Sequence, residues 1–225
     1  ILSATTPPEA CQEPAQPVGP GGTSIVATQG TIDEGGTATV SGVTAAAYFG
    51  KQVTVTWGDG TTSVATADAV DGSWSSSHVY RDDEGPGTSA RYLVSATAEG
   101  VVDFNYTRIT VVNVAPTMTV SPMATTVDEG ASLTVAGTFA DPGVLDGHTV
   151  VVSWGDGSPS STVTFAAGAS KSFSLTHTYL DDNPSLTASD GKTVSVRLTD
   201  TDGGAVSASS PVTVRNLAPT DLQLD

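Results

Sequence analysis

The stretch VTVTWGDGTTS, residues 53–63, returns almost unchanged as VVVSWGDGSPS, residues 150–160. In both copies valines alternate with other residues up to the tryptophan, a period of two that is typical of a strand with one buried face. The Gly-Asp-Gly that follows is typical of a hairpin turn, since glycine tolerates positive φ and aspartate caps nearby backbone N–H groups. The repeated stretch therefore predicts a core strand and its turn, used twice, with Trp57 and Trp154 buried.

A catalytic or binding role for the same motif would rest on one carboxylate, Asp59 or Asp156, beside an indole. General acid–base catalysis needs a positioned proton acceptor near a substrate cleft, commonly with a partner group, whereas one Asp flanked by glycines and followed by Thr or Ser is typical of a hairpin turn. His78 and His177 each precede a tyrosine by two residues and lack the Cys or His spacing of a metal site, so we predict structural hydrogen bonds for them. With no G-x-S-x-G motif either, the sequence predicts no catalytic residue and no enzyme.

Four further landmarks recur in the same order, and their offset grows from 95 residues (Glu34 to Glu129) to 103 residues (Asn113 to Asn216). The pairs are Asp33-Glu34-Gly35 with Asp128-Glu129-Gly130, His78-Val79-Tyr80 with His177-Thr178-Tyr179, Asp82-Asp83 with Asp181-Asp182, and Asn113-Val114-Ala115-Pro116 with Asn216-Leu217-Ala218-Pro219. Self-similarity of this kind predicts two tandem units, residues 23–115 and 116–218, joined by a short linker that proline stiffens.

The composition excludes several classes of partner. There are 24 acidic residues against 8 basic ones, a formal net charge of −16, so nucleic acid and anionic membrane surfaces are poor partners. No apolar run approaches the ~18 residues of a membrane span, and we expect no membrane insertion. The excess of acid makes divalent cations plausible guests, while the alternative is that acidity only keeps an exported protein soluble.

The two ends of the chain differ from the repeated units. Residues 1–22 contain five of the 13 prolines and are predicted to form an extended tail. The single cysteine, Cys11, lies in this tail, so no internal disulfide is possible. Because the chain begins with Ile1, we expect a processed form or a fragment. Residues 219–225 are expected to begin a further strand or linker, which either leads into a third repeat or completes a neighbour's sheet.

The WGDG turn, followed 21 or 23 residues later by His-x-Tyr, resembles the PKD (polycystic kidney disease) domain family. The resemblance covers residues 23–220 in two copies. It implies an all-β fold, here two tandem immunoglobulin-like β-sandwiches with an extended N-terminal tail. It also implies an extracellular or cell-surface location, since such modules occur as spacers, adhesive stalks and accessory domains of secreted hydrolases.

The resemblance further implies a Ca²⁺ site in domain 2 only, because some PKD-type modules bind this ion near the domain entrance. The implied ligands are Asp141, Asp146, Asp200 and Asp202, together with Asn113 of the linker, and hard oxygen ligands suit this ion. Domain 1 has an alanine-rich segment and Ala98-Glu99-Gly100 at the matching places, so no site is expected there. The alternative is that the aspartates form Asx-turns without metal.

Two functions follow from these observations. The preferred one is a non-catalytic structural or interaction module of a surface fibre, adhesin stalk or filament, whose partners are other protein chains, including copies of itself. The alternative is a protein- or polysaccharide-binding accessory of a secreted hydrolase. Polysaccharide binding usually needs exposed aromatic platforms, and Trp74, in the Gly/Ser-rich stretch DGSWSSS, is the main candidate. Further candidates are Tyr48, Phe49, Tyr92 and Tyr106.

Overall fold

The computed structural model describes residues 23–84, 87–99, 105–121, 123–182 and 187–218. They divide into two compact units. The first contains the described residues up to Ile32, Gly36–Tyr80 and Arg91–Thr110; the second contains Asp33–Gly35, Arg81–Ala90 and the described residues from Val111 onwards. Two short segments of the first sequence repeat therefore group with the second unit. The predicted tail at 1–22, with Cys11, and the predicted strand at 219–225 lie outside the described residues.

Within its described residues, the first repeat forms eight strands in two sheets. The strands are β1 (Val26–Ala27), β2 (Thr31–Asp33), β3 (Thr37–Val43), β4 (Gln52–Thr56), β5 (Thr62–Thr66), β6 (Ser73–Val79), β7 (Ser89–Ala98) and β8 (Tyr106–Val112). One sheet has the order β1-β3-β6 and the other β2-β8-β7-β4-β5. A single turn of 3₁₀ helix, Ala46–Tyr48, precedes β4.

The second repeat builds the same two sheets from eight further strands. They are β9 (Thr117–Val120), β10 (Thr126–Asp128), β11 (Ser132–Ala140), β12 (His148–Ser153), β13 (Ser161–Phe165), β14 (Ser172–Thr178), β15 (Ser189–Asp200) and β16 (Ala205–Arg215). The sheet orders are β14-β11-β9 and β10-β16-β15-β12-β13, and β10 runs parallel to β16. The prediction of two immunoglobulin-like β-sandwiches is confirmed by this matching topology.

The core of each unit lies between its two sheets. In the second unit Leu133 and Val135 from one sheet join Val150, Val152 and Trp154 from the other in one buried cluster. The alternation seen in the sequence is thus the alternation of the strand, because every second side chain of β12 faces inward. Complete burial of a side chain of this size contributes about 1.5–3 kcal/mol to folding.

Trp57 and Trp154 are fully buried, as predicted, and each accepts a hydrogen bond from the tyrosine that directly follows a strand of the opposite sheet. The Tyr80 hydroxyl donates a hydrogen bond to the Trp57 carbonyl oxygen at 2.7 Å. Tyr179 repeats this bond to Trp154 at 2.8 Å. Each bond satisfies a backbone carbonyl at the point where the core strand leaves the sheet, so the Tyr of His-x-Tyr is a structural anchor.

A second aromatic position recurs without sequence identity. Trp74 on β6 faces Gly42 across the sheet, and Phe173 on β14 faces Gly137 at the corresponding place. A Cβ built on Gly42 would lie 2.8 Å from the Trp74 ring, so the glycine makes room for the indole. Trp74 is only 4% exposed. The expectation that it forms an exposed aromatic platform is therefore wrong, and its polar neighbours face the other side of the strand.

Candidate metal centre

The Asp-His pair of the WGDG turn has the same geometry in both units. Asp59 Oδ1 accepts hydrogen bonds from the Thr61 N–H at 2.9 Å and the Thr61 hydroxyl at 2.6 Å, while its Oδ2 lies 2.6 Å from His78 Nε2. The His78 ring stacks on Trp57 with centroids 5.0 Å apart. Asp59 thus caps the turn with Oδ1 and contacts β6 of the other sheet with Oδ2, so both oxygens have structural partners.

The copy in the second unit repeats every one of these contacts. Asp156 Oδ1 accepts from the N–H and hydroxyl of Ser158, and its Oδ2 lies 2.6 Å from His177 Nε2. Burial by itself raises the pKa of Asp156, but the hydrogen bonds from Ser158 and His177 outweigh it and lower the pKa to about 2. The aspartate is therefore ionised at neutral pH, and both of its carboxylate oxygens have hydrogen-bond partners. The turn requires positive φ at both of its glycines, and this is observed in each copy, at Gly58 and Gly60 and at Gly155 and Gly157.

A second group of acidic side chains, here called the acidic cluster, is assembled entirely within the second unit. Its six members form three overlapping triads. The triads are Glu34 with Asp82 and Asp83, Glu34 with Asp141 and Asp146, and Asp82 with Asp146 and Asp202. Within each triad the oxygens that face one another lie within 4.8 Å. Carboxylates at this spacing repel one another strongly unless protons or cations lie among them.

Loops at strand ends supply all six acids. Glu34 directly follows β2, whereas Asp82 and Asp83 come shortly after β6. Asp141 directly follows β11, Asp146 lies two residues before β12, and Asp202 lies in the turn between β15 and β16. The segment after β6 is held on the 141–146 loop by a hydrogen bond from the Val144 N–H to the Arg81 carbonyl, at 3.2 Å. The acidic cluster thus brings together acids that are up to 168 residues apart in sequence (202 − 34).

Several buried oxygens of the acidic cluster have no hydrogen-bond partner among the described residues. They are Glu34 Oε2, both carboxylate oxygens of Asp83, and Asp146 Oδ2. Glu34, Asp83 and Asp146 are each at most 2% exposed. A buried carboxylate oxygen without a partner costs several kcal/mol by order of magnitude, so folded proteins normally satisfy such atoms. Their convergence here fits a bound cation.

The pKa values of these carboxyl groups are raised, as expected for neighbouring acids without a cation among them. Burial raises the pKa of Glu34 to about 7 against the opposing hydrogen bond from the Val114 N–H, with the nearby carboxylates adding to the rise. Burial and then the charge of Asp202 raise the pKa of Asp83 to about 6. Burial likewise raises the pKa of Asp146. A divalent cation among these oxygens would reverse that effect by favouring the ionised forms.

Gly143 leaves the space in which two of these carboxylates meet. A Cβ built on it would lie 2.2 Å from Asp146 Oδ2 and 2.7 Å from Glu34 Oε2. The residue therefore lines the cluster with backbone alone. Its own N–H donates to Asp141 Oδ1 at 3.0 Å, while Asp141 Oδ2 lies 2.7 Å from the buried His148 Nε2. His148, which the sequence analysis left without a role, begins β12 and orients Asp141.

The structure brings together three of the five predicted ligands, Asp141, Asp146 and Asp202. Asp200 instead caps its own turn, since its Oδ1 accepts from the N–H groups of Asp202 and Gly204 at 3.0 and 2.7 Å. Asn113 Nδ2 donates to Asp200 Oδ2 at 3.4 Å, so both residues border the cluster. The Asn113 Oδ1 is buried without a partner within the described part of the chain.

Three members of the acidic cluster, Glu34, Asp82 and Asp83, were not among the residues predicted from the sequence. All three were visible in the sequence, but only as markers of the repeat. The matching part of the first unit carries no such cluster among its described residues. The 3₁₀ turn Ala46–Tyr48 takes the place of the 141–146 loop, and Glu99 forms an exposed ion pair with Lys51 at 3.2 Å.

Two solved structures similar to this chain are 18% and 12% identical to it in sequence. The chain is similar to a PKD domain of an M14-like peptidase from a Thermoplasmatales archaeon, at 18% identity and a TM-score of 0.32, over 45% of this chain and 93% of that one. It is also similar to a marsupial T cell receptor, at 12% identity and a TM-score of 0.35, over 87% of this chain and 74% of that one. No protein-family model and no curated protein matches the sequence.

By the strand order and the core described above, the molecule is of the immunoglobulin-like β-sandwich class. Its units contain the WGDG turn and the His-x-Tyr anchor by which the sequence resembles PKD domains. Within the described residues, no helix is long and apolar enough to cross a membrane.

Proposed function

We propose that this protein is a calcium-binding, non-catalytic structural and interaction module, with the ion held by the acidic cluster of the second unit. The observation that carries the proposal is the convergence of buried carboxylate oxygens of Glu34, Asp83 and Asp146 that lack hydrogen-bond partners among the described residues. Ca²⁺ takes about 6–8 oxygen ligands, often from several loops, and carboxylates are its usual protein donors. The donor set contains no sulfur and no free imidazole, which disfavours zinc.

The role of the ion in this proposal is to cross-link the chain. Glu34, Asp82 and Asp83 would bind on one side, and Asp141, Asp146 and Asp202 on the other. His148 would hold Asp141 in place, and the Val114 N–H, 2.8 Å from Glu34 Oε1, would do the same for Glu34. Because these residues come from segments far apart in sequence, a bound ion would fix segments 33–35 and 81–84 onto the loops of the second unit.

We infer that the tandem units serve outside the cell or at its surface, as modules of a fibre, adhesin stalk or filament whose partners are other protein chains, including copies of this one. Tandem repetition, a strongly acidic composition and calcium-fixed segments support this role. The alternative of a polysaccharide-binding accessory domain has less support, because Trp74 and Tyr92 are buried. Tyr106 is 40% exposed and remains as an exposed aromatic ring, with Arg108 5.1 Å from its centroid.

Thermal unfolding in EDTA and in millimolar Ca²⁺ tests the calcium proposal. A ligand present at ~100 times its Kd stabilises the state that binds it by about 2.7 kcal/mol, so calcium should raise the unfolding midpoint of the second unit by several degrees. Asp146→Asn should abolish the rise, and Glu99→Gln, an exposed acid of the first unit, should leave it intact. An unchanged midpoint in the wild-type protein would overturn the proposal.

Limited proteolysis tests the cross-linking role separately. Calcium should protect the segment 81–90 from cleavage, since Asp82 and Asp83 would be held in place. In Asp146→Asn, cleavage in this segment should proceed at the same rate with and without the ion. Calcium binding without any such protection would retain the site but remove the proposed mechanical role.

A further inference from the structure

The second repeat carries a copy of one half of the acidic cluster. Glu34, Asp82 and Asp83 correspond to Glu129, Asp181 and Asp182, at offsets of 95, 99 and 99 residues. We call the first set the leading triad and the second set the trailing triad. In both sets the glutamate directly follows a short strand, β2 or β10, and the two aspartates come shortly after β6 or β14.

The backbone around the trailing triad repeats that of the leading triad. The Val114 N–H donates to Glu34 Oε1 at 2.8 Å, and the Leu217 N–H donates to Glu129 Oε1 at 2.9 Å. The N–H of each glutamate also donates to the last strand of its repeat, to the carbonyl of Val112 at 3.0 Å and that of Arg215 at 2.9 Å. Both glutamates are thus fixed in the same orientation by the same part of the fold.

The trailing triad has the geometry of a ligand set. One oxygen each from Glu129, Asp181 and Asp182 lies within 4.8 Å of the other two. Asp182 is 2% exposed, and its Oδ2 has no hydrogen-bond partner in the described part of the chain. A buried carboxylate that has one unpartnered oxygen and lies within this distance of two other acids fits a cation at this place as well.

The two triads differ in what faces them. Asp141, Asp146 and Asp202 complete the leading triad, and we call these three the receiving triad. Among the described residues, no further acid joins Glu129, Asp181 and Asp182 in a group that could hold a metal ion. The three carboxylate oxygens that converge here are fewer than the about 6–8 oxygens that Ca²⁺ takes, which leaves room for ligands from water or from another protein surface.

We propose that Glu129, Asp181 and Asp182 form a second, weaker calcium site, and that its remaining ligands are the receiving triad of another β-sandwich unit of this type. The proposal rests on the calcium function proposed for the acidic cluster. In this protein the receiving triad is already engaged by Glu34, Asp82 and Asp83, and the first unit lacks one. The unit that completes the site therefore differs from both described units in carrying a vacant receiving triad.

Calcium titration of the full chain by calorimetry tests the metal site itself. The wild-type protein should bind calcium in a tight and a weak class. The triple variant Glu129→Gln/Asp181→Asn/Asp182→Asn should lose only the weak class, and its retained tight class shows that the second unit is folded. The matched variant Glu34→Gln/Asp82→Asn/Asp83→Asn should lose the tight class. If the wild type and the first variant showed equal weak binding, the inference would be overturned. If the wild type showed no tight binding, the proposed function would be overturned.

Extension of the chain tests the identity of the missing ligands. A second copy of residues 118–218, joined after Thr220, brings a vacant receiving triad next to the trailing triad, and the number of tightly bound ions should double. The same extension with its counterparts of Asp141, Asp146 and Asp202 changed to Asn should keep the original number. An unchanged number in the first extension, with the added unit folded by circular dichroism, would contradict completion by a receiving triad.

Discussion

The two units use the same core and differ in the loops that precede and follow their central strands. Trp57 and Trp154 occupy equivalent positions, with the same tyrosine and Asp-His contacts. Before the strand that leads to each tryptophan, however, the first unit has a 3₁₀ turn without acids, whereas the second has the loop with Asp141 and Asp146. The difference shows that the fold tolerates a change from uncharged to acidic residues when those residues lie in loops and not in strands.

The largest expected effect concerns what the two units share. Trp57→Ala and Trp154→Ala should each cost about 3–5 kcal/mol of unfolding free energy, because each removes a fully buried aromatic ring from a close-packed core. Urea denaturation with a separate fluorescence or NMR probe in each unit measures the two costs. If only one substitution were strongly destabilising, the units would not be equivalent in their cores.

A smaller effect distinguishes the units. Gly143→Ala places a methyl group against Asp146 and Glu34 and should weaken calcium binding about 10- to 100-fold, as displacement of supporting groups does in other metal sites. Gly191→Ala is the control, because a Cβ there meets nothing within 4 Å. Calcium titration by calorimetry gives both affinities. Unaltered affinity in Gly143→Ala would place the ion elsewhere.

The hydrogen bonds of Tyr80 and Tyr179 are common to both units, so their loss should have the same effect in each. Tyr80→Phe and Tyr179→Phe each leave a buried carbonyl oxygen without its hydroxyl donor, at a cost of about 1 kcal/mol. The two costs should agree, and calcium should change neither. Denaturation of both variants in EDTA and in calcium makes this comparison, and a calcium-dependent cost for Tyr179→Phe would show that the turn and the acidic cluster are coupled.

The smallest effect is the acid sensitivity of the WGDG turn. The pKa of Asp156 falls from its ordinary value near 4 to about 2 on folding, so the folded state favours the ionised form. The resulting stability is present above pH 4 and is lost as the pH falls through 2, by about 1 kcal/mol after allowance for solvent screening. Asp156→Asn should lack this component of the pH dependence. An identical loss between pH 4 and pH 2 in wild type and variant would contradict the assignment.

The residues that sequence reasoning placed correctly are those with a local pattern. Val53, Val55 and Trp57 alternate along one strand, so their burial follows from the chain itself. Trp74 was misplaced because its Gly/Ser-rich neighbours are typical of an exposed loop. The room for its ring comes from Gly42, which lies 32 residues away in sequence (74 − 42) and becomes its neighbour only through strand pairing.

The acidic cluster shows the same limit. Asp141, Asp146 and Asp202 were proposed from a family resemblance, and the structure places them together. Glu34, Asp82 and Asp83 come from the other repeat, and no local pattern links them to the 141–146 loop. Their contact depends on how short segments of the first repeat group with the second unit, which is a property of the tertiary structure.

A crystal structure grown in calcium, with anomalous scattering data, tests the central claim most directly. The account predicts an anomalous peak about 2.3–2.6 Å from carboxylate oxygens of the acidic cluster, among them those of Glu34 and Asp146. It also predicts no such peak at the Ala46–Tyr48 turn of the first unit. Carboxylates that share protons with one another around ordinary water density, at neutral pH and saturating calcium, would contradict it.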